Sequence, residues 1–179
     1  MLRIVCLSIF LCFCALRVLA QDLPRRIVSM NLCTDQLLLL LVSRDRIASL
    51  SYFAADPAYS WLAAAAVGIP ANHGQAEEVL ALQSDLILTS QFSATMTANL
   101  LDRLGHPVQR LDFATSVADS AAQIRRVAAL TGTADAGEKL ILELETAITT
   151  QKQLLAPGLQ DKAAVFFASN GFAYGSATL

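Results

Sequence analysis

The stretch Arg26-Ile27-Val28-Ser29-Met30-Asn31-Leu32-Cys33-Thr34-Asp35-Gln36-Leu37-Leu38-Leu39-Leu40-Leu41-Val42-Ser43-Arg44-Asp45-Arg46-Ile47-Ala48-Ser49-Leu50 decides the architecture. Its first five residues are a short apolar run of strand character. Thr34 to Val42 is a Leu-rich helical segment, and Ile47 to Leu50 is strand-like again. A helix between two strands carries the chain back to its starting edge, so the strands pair in parallel with helices over the sheet faces.

The same alternation continues outward. A helix is expected from Pro57 to Ala66, with proline in the first turn, where a missing N–H does no harm. Glu77 to Leu82 is one or two helical turns, Asp85 to Thr89 a strand, Ala94 to Leu104 a helix and Pro107 to Leu111 a strand. Gly105 stands where a helix stop is wanted. The fold class is α/β, with a parallel sheet and flanking helices.

Beyond residue 116 the scale changes. Val117 to Leu130 is helical and Thr131-Gly132-Thr133 breaks it. Ala134 to Ala156 then runs uninterrupted to Pro157-Gly158, about 34 Å at 1.5 Å per residue. Leu140, Ile141, Leu144, Ala147, Ile148, Gln151 and Leu155 recur at helical spacing on one face. Ala163 to Ala168 begins a further strand, and a lone buried strand needs neighbours for its backbone and for Phe166 and Phe167. It either joins the first sheet or opens a second lobe, and the fresh start at Pro157-Gly158 favours the second lobe. The expected organisation is an N-terminal α/β lobe at 21–131, a connecting helix at 132–157 and the start of a second α/β lobe at 158–179.

Residues 1–20 read as a secretory signal peptide: Arg3 in the n-region, 13 apolar residues from Ile4 to Leu16, and Val18-Leu19-Ala20 as the cleavage site. The apolar run is too short to span a membrane as a helix. No cysteine stands where lipid attachment would follow a small residue, so a soluble exported protein is expected. Removing the segment takes away Arg3 and Arg17, leaving 11 basic against 15 acidic residues, a net charge of −4. It also removes Cys6, Cys12 and Cys14. Cys33 is then alone, which excludes an internal disulfide and a four-cysteine metal site and suits a small buried or loop residue. The sequence is 55% hydrophobic and 16% charged, which rules out a disordered chain, and its acidity argues against nucleic acid as a partner.

Taken in order, these residues carry a resemblance. Arg26-Ile-Val-Ser-Met-Asn-Leu-Cys-Thr-Asp35 resembles the opening strand and loop of the periplasmic substrate-binding proteins for cobalamin and iron complexes. Glu77-Glu-Val-Leu-Ala-Leu-Gln-Ser-Asp-Leu-Ile-Leu88 is similar to that family's run Glu-x-(two apolar)-Ala-Leu-x-Pro-Asp-Leu-Val, with Ser84 where proline is usual. Leu101-Asp-Arg-Leu-Gly-His-Pro-Val108 matches the following Leu-Gly-x-x-Val step, and the long helix resembles the one joining the family's two lobes. The resemblance covers residues 25 to 179 and implies a class III periplasmic binding protein-like fold in which most of the C-terminal lobe is not represented. It implies binding without catalysis. A corrinoid or ferric siderophore lies between two lobes and is delivered to the permease of an ABC importer by a periplasmic monomer that needs no cofactor of its own.

Open parallel sheets bind ligands at the loops after the carboxyl ends of their strands. Those loops hold Asn31 and Leu32, Tyr52 and Phe53, Gln91 and Phe92, and Asp112 and Phe113, with His73 in the nearby turn Asn72-His73-Gly74. Phe172 and Tyr174 follow the last strand and face the same cleft if a second lobe exists. Aromatic side chains at strand exits suit a large, flat, partly apolar ligand, and their alternative use is to cap the core. No Arg or Lys stands in these loops, which leans toward a neutral or weakly charged ligand such as a corrinoid.

Glu77 is the residue that the resemblance assigns to permease docking. Its alternative role is to complement a helix dipole, and Glu78 beside it reads as merely solvated. The two histidines, His73 and His106, lack companions for a direct metal site. Gly175-Ser176-Ala177 lacks the Gly-x-Ser-x-Gly pattern of a nucleophile elbow, and no phosphate-binding Gly-x-x-x-x-Gly-Lys loop is present, so no catalytic residue is named. A small secreted hydrolase-like α/β enzyme and a truncated, non-binding remnant or interaction module are the competing readings.

Overall fold

The structure, a computed structural model, describes residues 23–154. Within them five strands form one parallel sheet: β1 (Ile27–Ser29), β2 (Ile47–Ser51), β3 (Ala71–Asn72), β4 (Leu86–Ser90) and β5 (Val108–Leu111), in the order β3-β2-β1-β4-β5. The helices are α1 (Leu32–Leu41), α2 (Ala63–Ala66), α3 (Ala76–Ala81), α4 (Thr95–Arg103), α5 (Val117–Thr131) and α6 (Ala134–Leu154), with a single 3-10 turn at Arg44–Arg46. The proposed signal peptide, the strand expected at 163–168, Phe172 and Tyr174 lie outside the described residues. Among the described residues, no helix is long and apolar enough to cross a membrane.

Strand alternation divides the core into two layers. Ile27, Leu86 and Leu88 face the side covered by α1, α5 and α6, where Leu38, Ile124, Val127 and Ile141 complete one cluster. Val28, Met30, Ile87 and Val108 face the other side, against Val79 of α3 and Ala98 and Leu101 of α4. β1 and β4 align Ile27 with Leu86, Val28 with Ile87 and Ser29 with Leu88, so the paired strands present the same residue parity to each layer.

Two elements depart from the sequence expectation. The helix expected over 57–66 exists only as α2 (Ala63–Ala66), preceded by turns. The Asp56 side chain accepts from Ala58 N at 2.8 Å and its carbonyl accepts from Ser60 N at 2.8 Å, a capped helical turn that is not continued. β3, only two residues long, carries no periodic signal. It is held by the Asn72 amide, which is 1% exposed and donates to Ser29 O, Ser49 Oγ and Leu50 O at 2.8–3.0 Å, stitching β1, β2 and β3 together.

At the amino ends of the strands, arginines terminate helices. Arg26 donates twice to Leu82 O after α3, Arg44 to Ala65 O and Val67 O at the end of α2, and Arg46 to Thr131 O at the end of α5. Asp85 accepts from Arg25 N and Arg26 N at 2.7 and 2.9 Å, fixing the entry to β1. Gly132, at φ +69°, closes α5, with Thr133 N donating to Ala128 O at 2.8 Å. α6 then folds back against α5, and Arg125 meets Glu138 through two bonds of 2.7 and 2.9 Å. Its buried residues are Gly137 and Ile141, both in its first half.

Asp35 lies wholly inside, beneath the sheet. Its carboxylate accepts from Ser51 N at 3.0 Å and from Ser51 Oγ, joining α1 to β2. Burial pushes the carboxyl up to about 6, against the hydrogen bonds from Ser29 and Ser51 that pull it down. A carboxyl whose folded value lies above its unfolded value of 3.8 contributes stability that is complete at lower pH and lost as pH rises from 3.8 to about 6. Asp35→Asn keeps the shape without the charge. Denaturant titrations at pH 4 and pH 7 should show the variant gaining on the parent by on the order of 3 kcal/mol across that range. Identical pH slopes would show that Asp35 ionises as freely in the folded chain as in the unfolded one. Gly132→Ala should cost at least about 1–2 kcal/mol in the same assay, from the left-handed backbone and from a Cβ that would force the Leu23 side chain to move. An unchanged midpoint would mean that the α5 terminus adopts another conformation at no cost.

Candidate functional site

The chain moves from β1 to β2 and β3 on one side, then crosses to β4 and β5 on the other. The connections therefore diverge between β1 and β4, leaving a crevice at the carboxyl ends of these two strands. A cleft of about 670 Å³ occupies that place. The β1 exit supplies Asn31, Leu32, Cys33 and Thr34, the β4 exit Ser90, Phe92 and Ser93, and the β5 exit Leu111, Asp112, Phe113 and Ala114. Phe53, Tyr59 and Gln123 complete the wall.

Local bonds explain how each exit is shaped. The Asn31 side chain accepts from Thr34 N at 3.1 Å and caps α1, while Ser29 Oγ meets Thr34 Oγ1 at 2.6 Å beneath it. The β4 exit is braced by Ser90 Oγ to Ser93 Oγ at 2.8 Å and by Thr89 Oγ1 donating to Ser93 O at 3.1 Å. This tight turn leaves Phe92 at its tip, 75% exposed. Phe53 is half-buried, tilted against Tyr52 at 3.9 Å between ring centroids and edge-on to Tyr59 at 5.2 Å.

Of the residues singled out in the sequence, Asn31, Leu32, Phe53, Phe92 and Phe113 come together on the cleft wall, with Asp112. Tyr52, Gln91 and His73 are not on it. Tyr52 N still donates to Asn72 O in the ladder with β3, and Gln91 N to Leu111 O in the ladder with β5. In each pair the neighbouring residue, Phe53 or Phe92, is therefore the one on the wall. His73 is engaged elsewhere: its Nδ1 lies 2.9 Å from Glu78 Oε1 and its ring stacks on Tyr52 at 5.1 Å. Glu78 is accordingly not merely solvated. It also accepts from His73 N at 2.6 Å, and these contacts, the ring first, hold its carboxyl below the usual range. Tyr174 lies outside the described residues.

Tyr59, Cys33, Thr34, Ser90, Ser93, Leu111, Ala114 and Gln123 were not foreseen as wall residues. Cys33 and Thr34 were recoverable as the first turn of the helix that Asn31 caps, and Ser90 and Ser93 as the turn presenting Phe92. Tyr59 and Gln123 arrive from distant segments, and no local signal marks them. Cys33 is exposed, not buried.

The electrostatics of the wall are one-sided. Among the described residues it carries no Arg, Lys or His, and the one charged side chain among them, Asp112, is largely in solvent 3.8 Å from Arg126. Polar capacity instead comes from the amino end of α1 and from serine, asparagine and glutamine side chains. Among the described residues, no group of three or more His, Cys, Asp or Glu is placed to hold a metal ion. Glu77 sits exposed in the first turn of α3, with no ion-pair partner among the described residues.

Comparison with known proteins places this architecture. A structure of a possible iron-binding periplasmic solute-binding protein from Staphylococcus epidermidis is similar with a TM-score of 0.71 and 16% identity over 85% of this chain and 60% of that one. A periplasmic heme-binding protein from Pseudomonas aeruginosa gives 0.65 and 17% over 80% of this chain and 51% of that one. The periplasmic vitamin B12 binding protein BtuF of Vibrio cholerae gives 0.58 and 18% over 73% and 51%. The chain thus spans about half to three-fifths of the length of these proteins. No protein with a curated description matches the sequence. Residues 27–178 match the family model of the periplasmic binding proteins, and the chain belongs to that family.

Proposed function

We propose that this chain is a lobe of an extracytoplasmic solute-binding component of an ABC importer, and that its cleft takes a flat, largely apolar metal chelate of the tetrapyrrole kind, a corrinoid or a haem, for delivery to a permease. The observation that carries this reading is the cleft itself: about 670 Å³ at the sheet's switch point, walled by Phe53, Phe92 and Phe113 and, among the described residues, free of cationic side chains. Exposed aromatic rings bury large apolar areas on a planar ligand at little entropic cost. Their exposure without a ligand, 75% for Phe92 and 60% for Phe113, is surface that a ligand would cover. The lack of cations disfavours strongly anionic ferric siderophores. Export through residues 1–20, action as a monomer and the absence of catalysis belong to the same proposal. The hydrolase alternative finds little support here, since Ser90 and Ser93 bond to each other and no histidine lines the cleft among the described residues.

Titration of the full chain with cyanocobalamin and with hemin, followed by absorbance, tests the reading. At least one should bind, and Phe92→Ala and Phe113→Ala should each weaken it about tenfold or more. Binding that neither substitution alters, or no binding of either ligand, would sink the proposal. Glu77 is proposed as a docking carboxylate. Glu77→Arg should slow association with the cognate importer in vesicles by about tenfold at low salt while leaving ligand affinity unchanged. Equal association of parent and variant would return Glu77 to a helix-terminal role.

A further inference from the structure

The amino end of α1 opens on the cleft, and its hydrogen-bonding account does not close. Asn31 is 9% exposed and forms part of the cleft wall. Its Oδ1 is committed to Thr34 N at 3.1 Å, which fixes the amide so that Nδ2 is the remaining group, and Nδ2 is buried with no partner among the described residues. Asp35 N donates to Asn31 O, as the helix requires. The N–H groups of Leu32 and Cys33, both on the cleft wall, precede the first intrahelical bonds and take no partner among the described residues. Three donors without partners therefore belong to consecutive residues at one end of a cleft whose remaining wall is mostly apolar. A buried amide without an acceptor is costly, and such groups in folded proteins are normally satisfied. The positive end of the α1 dipole adds to them, and among the described residues no side-chain cation on the wall competes.

We propose that this helix end is an acid-binding subsite, in which Asn31 Nδ2 and the N–H groups of Leu32 and Cys33 hold a carboxylate carried on the edge of the bound chelate while its macrocycle lies on Phe53, Phe92 and Phe113. The inference rests on the reading of the cleft as a chelate site and deepens it. The ligand's flat body is recognised by area, and its orientation in the cleft by one peripheral acid. Asp112, the only charge on the wall, is turned to solvent near Arg126, so it does not hold the acid and does not fill the donors. Neutral donors suit a single carboxylate on an otherwise apolar body, because the helix end supplies partial charge without the desolvation penalty of a buried lysine or arginine.

The test uses the isotopically labelled full chain and two diamagnetic probes, zinc protoporphyrin IX and its dimethyl ester. Both should shift the amide resonances of Phe53, Phe92 and Phe113. Only the diacid should also move the Leu32 and Cys33 amides and the Asn31 side-chain NH2 signals strongly downfield. Asn31→Ser keeps a capping oxygen for Thr34 N but removes the spare donor. It should melt within a degree or two of the parent, bind the diacid about tenfold more weakly and bind the ester unchanged. Asn31→Asp also keeps the cap, and by setting a charge against the ligand's acid it should weaken the diacid further while sparing the ester. If the aromatic residues respond but Asn31, Leu32 and Cys33 do not, or if both variants bind the diacid like the parent, the subsite is disproved and the chelate reading stands. If neither probe disturbs the aromatic residues, the subsite is disproved together with the porphyrin form of the chelate reading, and the chelate reading as a whole falls if cyanocobalamin also leaves them undisturbed.

Discussion

The whole arrangement depends on β1 having a hydrogen-bonded neighbour on each edge and a packed layer on each face. Only three residues long, it pairs with β2 on one side and β4 on the other, and Ile27 and Val28 are completely buried toward opposite layers. A strand so enclosed must send its chain out at its carboxyl end, and α1 turns to one layer while α4, following β4, turns to the other. Nothing in the two crossovers covers the gap between the strand tips. The cleft is thus a by-product of satisfying the backbone of the central strand, and the side chains that furnish it are those that happen to follow β1, β4 and β5.

Charge is distributed along the strand axis in a way that matches this geometry. The helix amino ends gather at the carboxyl rim, where Asn31 and Ser116 cap α1 and α5. Arg26, Arg44 and Arg46 gather at the opposite rim on helix carboxyl ends. The charge of the helix ends is thus complemented at the far rim, while the cleft rim is left polar and weakly positive without a formal cation among the described residues. Asp35 is the exception to this economy of charge. It is a buried carboxylate whose partners are hydroxyls and an amide, placed to lock α1 onto β2 directly behind the capping turn.

The alternation of apolar runs and helical segments made the parallel sheet legible, because β1, β2, β4 and β5 are each short, apolar and followed by turn residues. The exits were legible too, and with them Asn31, Phe53, Phe92 and Phe113. What local pattern could not convey was parity at the strand ends. Tyr52 and Phe53, or Gln91 and Phe92, look equivalent as neighbours in sequence. Only the continuation of the ladder to Asn72 and Leu111 decides which of each pair meets the cleft. Tyr59 and Gln123 are brought in by tertiary packing alone. Over 57–66 the cap at Asp56 and the proline after it start a single turn, but helix is reached only at Ala63–Ala66, and no local signal marks where the first turn stops.

The arginines at the far rim have one more consequence. Arg26, Arg44 and Arg46 bond to neutral peptide carbonyls, not to carboxylates, so what they contribute rests on short-range contact and not on attraction between opposite formal charges. Dissolved electrolyte damps the latter strongly and the former hardly at all. This rim of the sheet is therefore built to keep its shape through swings of ionic strength.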